Sequence, residues 1–235
     1  MDKRILVIIP CYNEEASLPA LLAEMRAISD YDISILAIND CSTDNTAEVI
    51  ASADIASLQL PVNLGIGGAM QTGFLYAQEH HFDIAIQLDG DGQHPPSELH
   101  KLIEQHEKTG VNVVIGSRFI ARSGFQSTWS RRLGIRYLCF LNRLFTGSNI
   151  YDSTSGFRLF DKKAIAIAAD LYPDEYPEPE SLVLFTKYRL LISEIPVTMR
   201  ERQGGISSIR YLASFYYIVK VSLAMFYSFI RYTKK

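Results

Sequence analysis

The run Leu88-Asp89-Gly90-Asp91-Gly92-Gln93-His94 follows the apolar stretch Ile84-Ala85-Ile86-Gln87, so two carboxylates and an amide oxygen stand at alternate positions where a buried strand emerges. Residues two apart in an extended chain point the same way, so Asp89 and Asp91 can converge on one hard cation, while Gly90 and Gly92 leave room for a ligand. A divalent ion held by two or three protein oxygens keeps open positions, and nucleotide phosphates are their usual occupants. An EF-hand loop also starts Asp-x-Asp but needs Gly at its sixth position and Glu at its twelfth, where this chain has His94 and His100. The remaining alternative is a solvated Asp/Gly turn.

The elements around the run decide between these readings. Arg4 to Pro10 reads as a buried strand, with Cys11-Tyr12-Asn13-Glu14-Glu15 as its exit into a helix. Ile33 to Ile38 reads as a second strand, ending in Asn39-Asp40-Cys41-Ser42-Thr43-Asp44-Asn45-Thr46, which carries residues suited to a helix N-cap. Asn63-Leu64-Gly65-Ile66-Gly67-Gly68-Ala69 opens another helix with glycines; Met70 in place of a third glycine excludes a dinucleotide fingerprint. Strands alternating with helices predict an α/β fold with a mostly parallel central sheet, and ligands of such sheets bind beyond the carboxyl ends of the strands. These polar clusters fall on the same edge as Asp89 and Asp91.

With 235 residues, 48% hydrophobic and 21% charged, the chain can bury one sizeable core. A net charge of −3 argues against a nucleic-acid partner. Cys11, Cys41 and Cys139 have neither disulfide nor metal-ligand spacing, and the N-terminus has no signal-peptide pattern; both suit the cytoplasm. Between Ser117 and Tyr151 there are six arginines and no acid. The guanidinium fork suits phosphate oxygens, and Arg118, Arg131 and Arg132 are expected to face one, leaving Arg136 and Arg143 to a solvated helix face. Pro196 to Lys235 carries seven Lys or Arg against Glu201. Within it, Leu212, Phe215, Tyr216, Val219, Leu223, Phe226 and Ile230 keep helical spacing opposite Tyr217, Lys220, Tyr227 and Arg231, predicting an amphipathic helix for an anionic membrane interface, or for packing on the domain or a second copy of the chain.

Seven blocks together resemble family 2 glycosyltransferases of GT-A fold, near dolichyl-phosphate mannose synthases and bacterial polysaccharide-assembly enzymes: Ile9-Pro10-Cys11-Tyr12-Asn13-Glu14, Asn39-Asp40-Cys41-Ser42-Thr43-Asp44, Asn63-x-Gly65-x-Gly67-Gly68-Ala69, Asp89-x-Asp91-x-Gln93-His94-Pro95, Gly116-Ser117-Arg118, Ser155-Gly156-Phe157-Arg158 and Glu194-Ile195-Pro196-Val197. The resemblance implies a single GT-A (Rossmann-like) domain over residues 1–208, with residues 209–235 as the C-terminal amphipathic helix. It implies a nucleotide site at Pro10, Tyr12, Glu14, Asp40, Gly67 and Asp89, and Mg2+ or Mn2+ on Asp89, Asp91 and Gln93. The implied catalytic group is Asp91, Asp152, Glu180 and Arg202. Glu178 and Glu180 both stand ahead of an expected helix from Ser181 to Leu190, and Glu180 is preferred by its distance to Pro196. Acceptor contacts are expected from Arg118, Arg131, Arg132 and Ser155.

The implied activity is metal-dependent, inverting transfer of a sugar from a nucleotide-diphosphate donor to a lipid-linked acceptor in cell-envelope glycan assembly, at the inner face of the cell membrane. Ser208 stands where mannose synthases follow the loop Ser with Lys, and a downstream hydrophobic hairpin is not found, so both polyprenyl phosphate and a lipid-linked saccharide stay open as acceptor. A nucleotidyltransferase is the alternative enzyme, although its basic glycine-rich loop is replaced here by the acidic Pro10-Cys11-Tyr12-Asn13-Glu14. A non-catalytic nucleotide-sugar-binding scaffold is the other alternative.

Overall fold

Every residue of the first strand, β1 (Ile5–Cys11), is buried, as a strand covered on both faces requires. Parity divides its side chains: Leu6 and Ile8 enter the core on one face of the sheet, and Ile5, Val7 and Ile9 enter the core on the other. The computed structural model describes residues 3–120, 129–200 and 211–231; within its two longest helices, side chains are described at 134, 136–146 and 218–231. After β1 come α1 (Leu18–Arg26), β2 (Ile33–Asn39), α2 (Thr46–Ala51), β3 (Ala56–Gln59), α3 (Gly65–Glu79) and β4 (Ile84–Gln87). A short 3₁₀ turn leads into α4 (Leu99–Thr109), β5 (Val113–Ser117), α5 (Trp129–Thr146), β6 (Arg158–Asp161), α6 (Lys162–Leu171), α7 (Pro177–Lys187), β7 (Ile192–Pro196) and α8 (Tyr211–Arg231).

The seven strands lie in the order β3-β2-β1-β4-β6-β5-β7, all parallel pairs except those of β6, which runs antiparallel between β4 and β5. One face is covered by α3, α6 and α7, where the Phe74 ring meets Phe160 at 4.8 Å and Tyr172 at 4.9 Å, both edge-on. The other is covered by α1 and α4 through Leu18, Leu22, Leu99 and Leu102. Because β1, β2 and β4 are parallel neighbours, the loops that leave them open at one edge of the sheet.

Two features differ from the sequence expectation. Helix α7 starts at Pro177 rather than Ser181, so Glu178 and Glu180 lie inside its first turn. Pro177 and Pro179 are tolerated there because first-turn N–H groups have no partner within the helix. Helix α8 docks by a third face, Val221, Met225 and Ser228, against Leu138 and Leu141 of α5 and Val183 and Glu180 of α7. Its expected apolar stripe therefore points away from the body: Leu223 is 62% exposed, Phe226 51% and Ile230 58%. The neighbouring α5 continues this surface with Phe140 at 61% and Leu144 at 63%. Among the described residues no helix is long and apolar enough to cross a membrane.

Candidate active site

The loops after β1 and β2 hold each other before any ligand arrives. Asn13 N donates to Ser42 Oγ at 3.0 Å, Thr43 N donates to Asn13 Oδ1 at 2.8 Å, and Glu14 N donates to Thr46 Oγ1 at 2.8 Å. With the start of α3 and the loop after β4, they enclose a cleft of about 670 Å³ lined by Pro10, Tyr12, Glu14, Asp40, Asn63, Gly65, Ile66, Asp89 and Asp91. The volume falls within the range of small-molecule sites. Tyr12 presents an exposed ring. Glu14 accepts from Ser17 Oγ at 2.7 Å. Asp40 accepts from Leu64 N at 2.7 Å and Gly65 N at 2.9 Å, so it pins the start of α3 as well as lining the cleft.

Gly67, expected at the nucleotide, is not on the cleft wall. A Cβ there would lie 2.1 Å from the Asp174 carbonyl oxygen and 2.3 Å from that of Pro173, so this glycine lets α3 seat against the connection between α6 and α7.

Asp89 and Asp91 sit side by side at the floor of the cleft. Asp91 accepts from Gln93 N at 3.0 Å, and Asp89 accepts from Gln87 Nε2 at 3.1 Å. Burial pushes the Asp89 carboxyl up to about 7, reinforced by the charges of Asp91 and Glu178. Two adjacent carboxylates suit a hard cation. Gln93 is not among the residues that line the cleft; its backbone instead fixes Asp91 and accepts from Arg200 N at 2.8 Å. Among the described residues no three His, Cys, Asp or Glu are grouped to hold a metal.

Behind them lies a network built from the Ser155-Gly156-Phe157-Arg158 block, in a role the sequence did not assign to Arg158. Arg158 is wholly buried, with Nε donating to Ser155 O at 2.7 Å, Nη1 to Ser181 Oγ at 3.0 Å and Nη2 to Ser153 O at 2.9 Å. Burial lowers its proton affinity, and Glu178 and Asp152 are among the charges that oppose this. Gly156 has no room for a side chain: a Cβ would lie 2.8 Å from both Asp89 Oδ2 and Gln87 Nε2. An arginine in the apolar strand sequence Arg158-Leu159-Phe160 was the available signal, since a buried guanidinium must find partners.

The expected acceptor residues are largely engaged with one another. Arg118 grips Asp152 through Nε and Nη2, each at 2.6 Å, and reaches Thr154 Oγ1 at 2.8 Å. The guanidinium fork thus faces a buried carboxylate and braces β5 against the loop before β6. Ser155 is buried, its hydroxyl donating to Gly116 O at 2.6 Å, and so points into the core rather than toward an acceptor. His94 stacks on Phe157 at 4.9 Å; burial, with Arg118 nearby, pushes its pKa down to about 4 and keeps it neutral. Arg131 and Arg132 begin α5, but their side chains, like all of Arg202, lie outside the described residues.

Glu180 does not reach this site. Two positions along a helix turn the side chain by about 200°, so Glu178 and Glu180 face opposite ways. Glu180 accepts a hydrogen bond from Ser228 of α8 and lines a separate cavity. Glu178 faces Asp89, Gln87 and Arg118, and burial raises its carboxyl above the ordinary range.

The family model for glycosyl transferase family 2 matches residues 6–167. The undecaprenyl-phosphate mannosyltransferase of Micrococcus luteus is 33% identical over 215 residues, covering 87% of this chain and 86% of that protein. The UDP-N-acetylglucosamine–dolichyl-phosphate N-acetylglucosaminyltransferase of Methanococcus voltae is 30% identical over 216 residues, covering 83% and 85%. Glucosyl-3-phosphoglycerate synthase of Mycobacterium tuberculosis, solved with Mn2+, UDP and glucosyl-3-phosphoglycerate, superposes with a TM-score of 0.71 at 18% identity, over 97% of this chain and 80% of that one. The sheet order, the cleft at its carboxyl edge and these matches agree: the chain belongs to glycosyl transferase family 2 and is a hexosyltransferase of GT-A fold.

Proposed function

We propose that the protein transfers a sugar, with inversion, from a nucleoside-diphosphate donor to a lipid-linked acceptor at the cytoplasmic face of the membrane. The observation that carries this reading is the adjacent carboxylates of Asp89 and Asp91 in the lining of a cleft of nucleotide size. The names of the relatives, which act on undecaprenyl phosphate and dolichyl phosphate, support a lipid-linked acceptor. The outward apolar faces of α5 and α8, beside exposed Arg136, Arg143 and Arg231, suit an anionic leaflet.

In this reading Tyr12, Glu14 and Asp40 hold the nucleoside end, and Asp89 and Asp91 hold Mg2+ or Mn2+ against the diphosphate. The cation, when bound, offsets the charge that grows on the leaving diphosphate. The acceptor oxygen forms its bond to the anomeric carbon on the face opposite the breaking carbon–oxygen bond. Glu178 replaces Glu180 as the carboxylate placed to receive a proton if that oxygen belongs to a sugar hydroxyl; a phosphate acceptor needs no such base. Arg118, paired with Asp152, holds the floor in position.

The test pairs donor binding with transfer. A thermal-shift panel of nucleoside diphosphates and nucleotide sugars with Mn2+ or Mg2+ should show metal-dependent stabilisation by one base class. Labelled sugar should then pass to polyprenyl phosphate or a lipid-linked saccharide in vesicles. Asp91→Asn should abolish both effects with the fold intact. Undiminished metal-dependent binding in that variant would remove the carboxylates from the mechanism.

A further inference from the structure

A second cavity, about 630 Å³, lies between α8 and the connection from α6 to α7. It is nearly as large as the donor cleft and is separated from it by the start of α3, where the backbone of Pro173 and Asp174, which line the second cavity, packs close against Gly67. We propose that this cavity binds the sugar headgroup of a lipid, with the lipid chain lying along the outward stripe of α8.

The lining selects the chemistry. Asp170, Asp174, Glu175 and Glu180 contribute four carboxylates against the cations Lys220 and Arg231, and Lys220 is already paired with Glu175 at 3.2 Å. An excess of acid disfavours a bare phosphate or carboxylate ligand, since like charges at close range repel. A metal ion is disfavoured as well: these acids are not grouped to hold one. A neutral ligand rich in hydroxyls fits, because each hydroxyl can donate to a carboxylate and accept from an ammonium or guanidinium group. Tyr176 adds a ring whose apolar body and polar tip suit the two faces of a sugar.

The rim selects the carrier. Leu223 lines the cavity and also belongs to the exposed stripe with Phe226 and Ile230. A molecule leaving the cavity on that side passes onto apolar surface, which a free monosaccharide would not use and an acyl or prenyl chain would. The carrier is either a membrane glycolipid or the saccharide of the acceptor itself; the two share this chemistry.

The experiment is cosedimentation of the full chain with three vesicle types: phosphatidylcholine alone, the same doped with diglucosyl diacylglycerol, and the same doped with phosphatidylglycerol. The sugar lipid is expected to strengthen binding on the order of tenfold over phosphatidylcholine, as one or two added hydrogen bonds do. Asp174→Asn combined with Glu175→Gln, both at exposed side chains, should erase that gain while leaving the response to phosphatidylglycerol. Leu223→Asp should weaken binding to the sugar lipid and leave competition by soluble maltose in place.

No gain from the sugar lipid, or an equal gain in the double variant, overturns the assignment. Because binding is read without turnover, and donor binding is measured separately by thermal shift, failure here is distinct from failure of the proposed transferase reaction. Supplying labelled nucleotide sugar then separates the sources: a labelled glycolipid marks the cavity as part of the acceptor site, and an unlabelled bound one marks it as a membrane-lipid site.

Discussion

Raising the pH of the protein in the presence of Mn2+ should tighten its hold on the metal until Asp89 is fully ionised, and then have no further effect. Burial and the neighbouring carboxylates push the Asp89 pKa up to about 7 in the folded chain, against 3.8 for an ordinary aspartate. For an acid whose folded pKa is raised, stability in the metal-free protein is greatest below the ordinary value and falls as pH climbs toward the raised one. Mn2+ needs the ionised carboxylate, so below pH 7 it competes with that proton and loses about tenfold in apparent affinity per pH unit. A tenfold change is worth about 1.4 kcal/mol under excess metal, which for a chain of this size is roughly 3–6 °C in Tm.

The assay is differential scanning fluorimetry from pH 5 to 8 with Mn2+ and with chelator. The difference between the two melting temperatures is the quantity to follow, because His94 acts in the opposite sense. Its lowered pKa penalises the folded state as pH falls below 6.5, and this contribution cancels in the subtraction. The difference should grow by about 3–6 °C per pH unit up to pH 7 and then level. In Asp89→Asn the growth should disappear. A flat difference in the wild type, or an equal slope in the variant, refutes the claim that this carboxylate is both proton-bound and metal-binding.

Three further outcomes follow from the same network. Glu178→Gln should reduce transfer to a sugar hydroxyl by roughly 10²–10⁴-fold with donor binding retained, and leave transfer to a phosphate acceptor near normal, whereas Glu180→Gln should leave either reaction largely intact; steady-state kinetics on both acceptors reads this. Arg118→Ala strands the buried Asp152 and should cost about 3–5 kcal/mol in urea unfolding; a loss under about 1 kcal/mol would mean that water readily replaces the guanidinium. Gly156→Ala should weaken Mn2+ binding more than it destabilises the fold, because the added methyl displaces Asp89 and Gln87 specifically; isothermal titration beside a melting curve separates the two effects.

The parallel strands and the edge at which their loops meet were readable in the sequence, because β1, β2 and β4 are short apolar runs, each ending in a polar cluster. Helix α8 was also readable, since its period is strong over twenty-one residues, but its docked face was not. Both sides of that helix carry apolar residues, and which side packs depends on Leu138, Leu141 and Val183, brought from distant parts of the chain. The partnership of Arg118 with Asp152 was hidden for the same reason. Thirty-four positions separate them, and a basic residue after a strand resembles a phosphate ligand until the carboxylate opposite is seen.

The exchange of Glu178 for Glu180 depended on a smaller distance. The two acids are alike in composition and in their place ahead of the predicted helix, and spacing to Pro196 cannot tell them apart once the helix begins four residues earlier than expected. Inside a helical turn, two positions decide which way a side chain faces. Glu178 then turns toward Asp89 and the buried Arg158, and Glu180 toward Ser228 of α8. The first turn of α7 therefore sends one acid toward the aspartates and the other toward α8. Moving it by one residue, as an alanine inserted between Tyr176 and Pro177 would, rotates Glu178 off the aspartates and breaks the Ser228 contact together. Transfer to a sugar hydroxyl and α8 docking should fail jointly in that insertion, whereas Glu178→Gln alone leaves α8 in place.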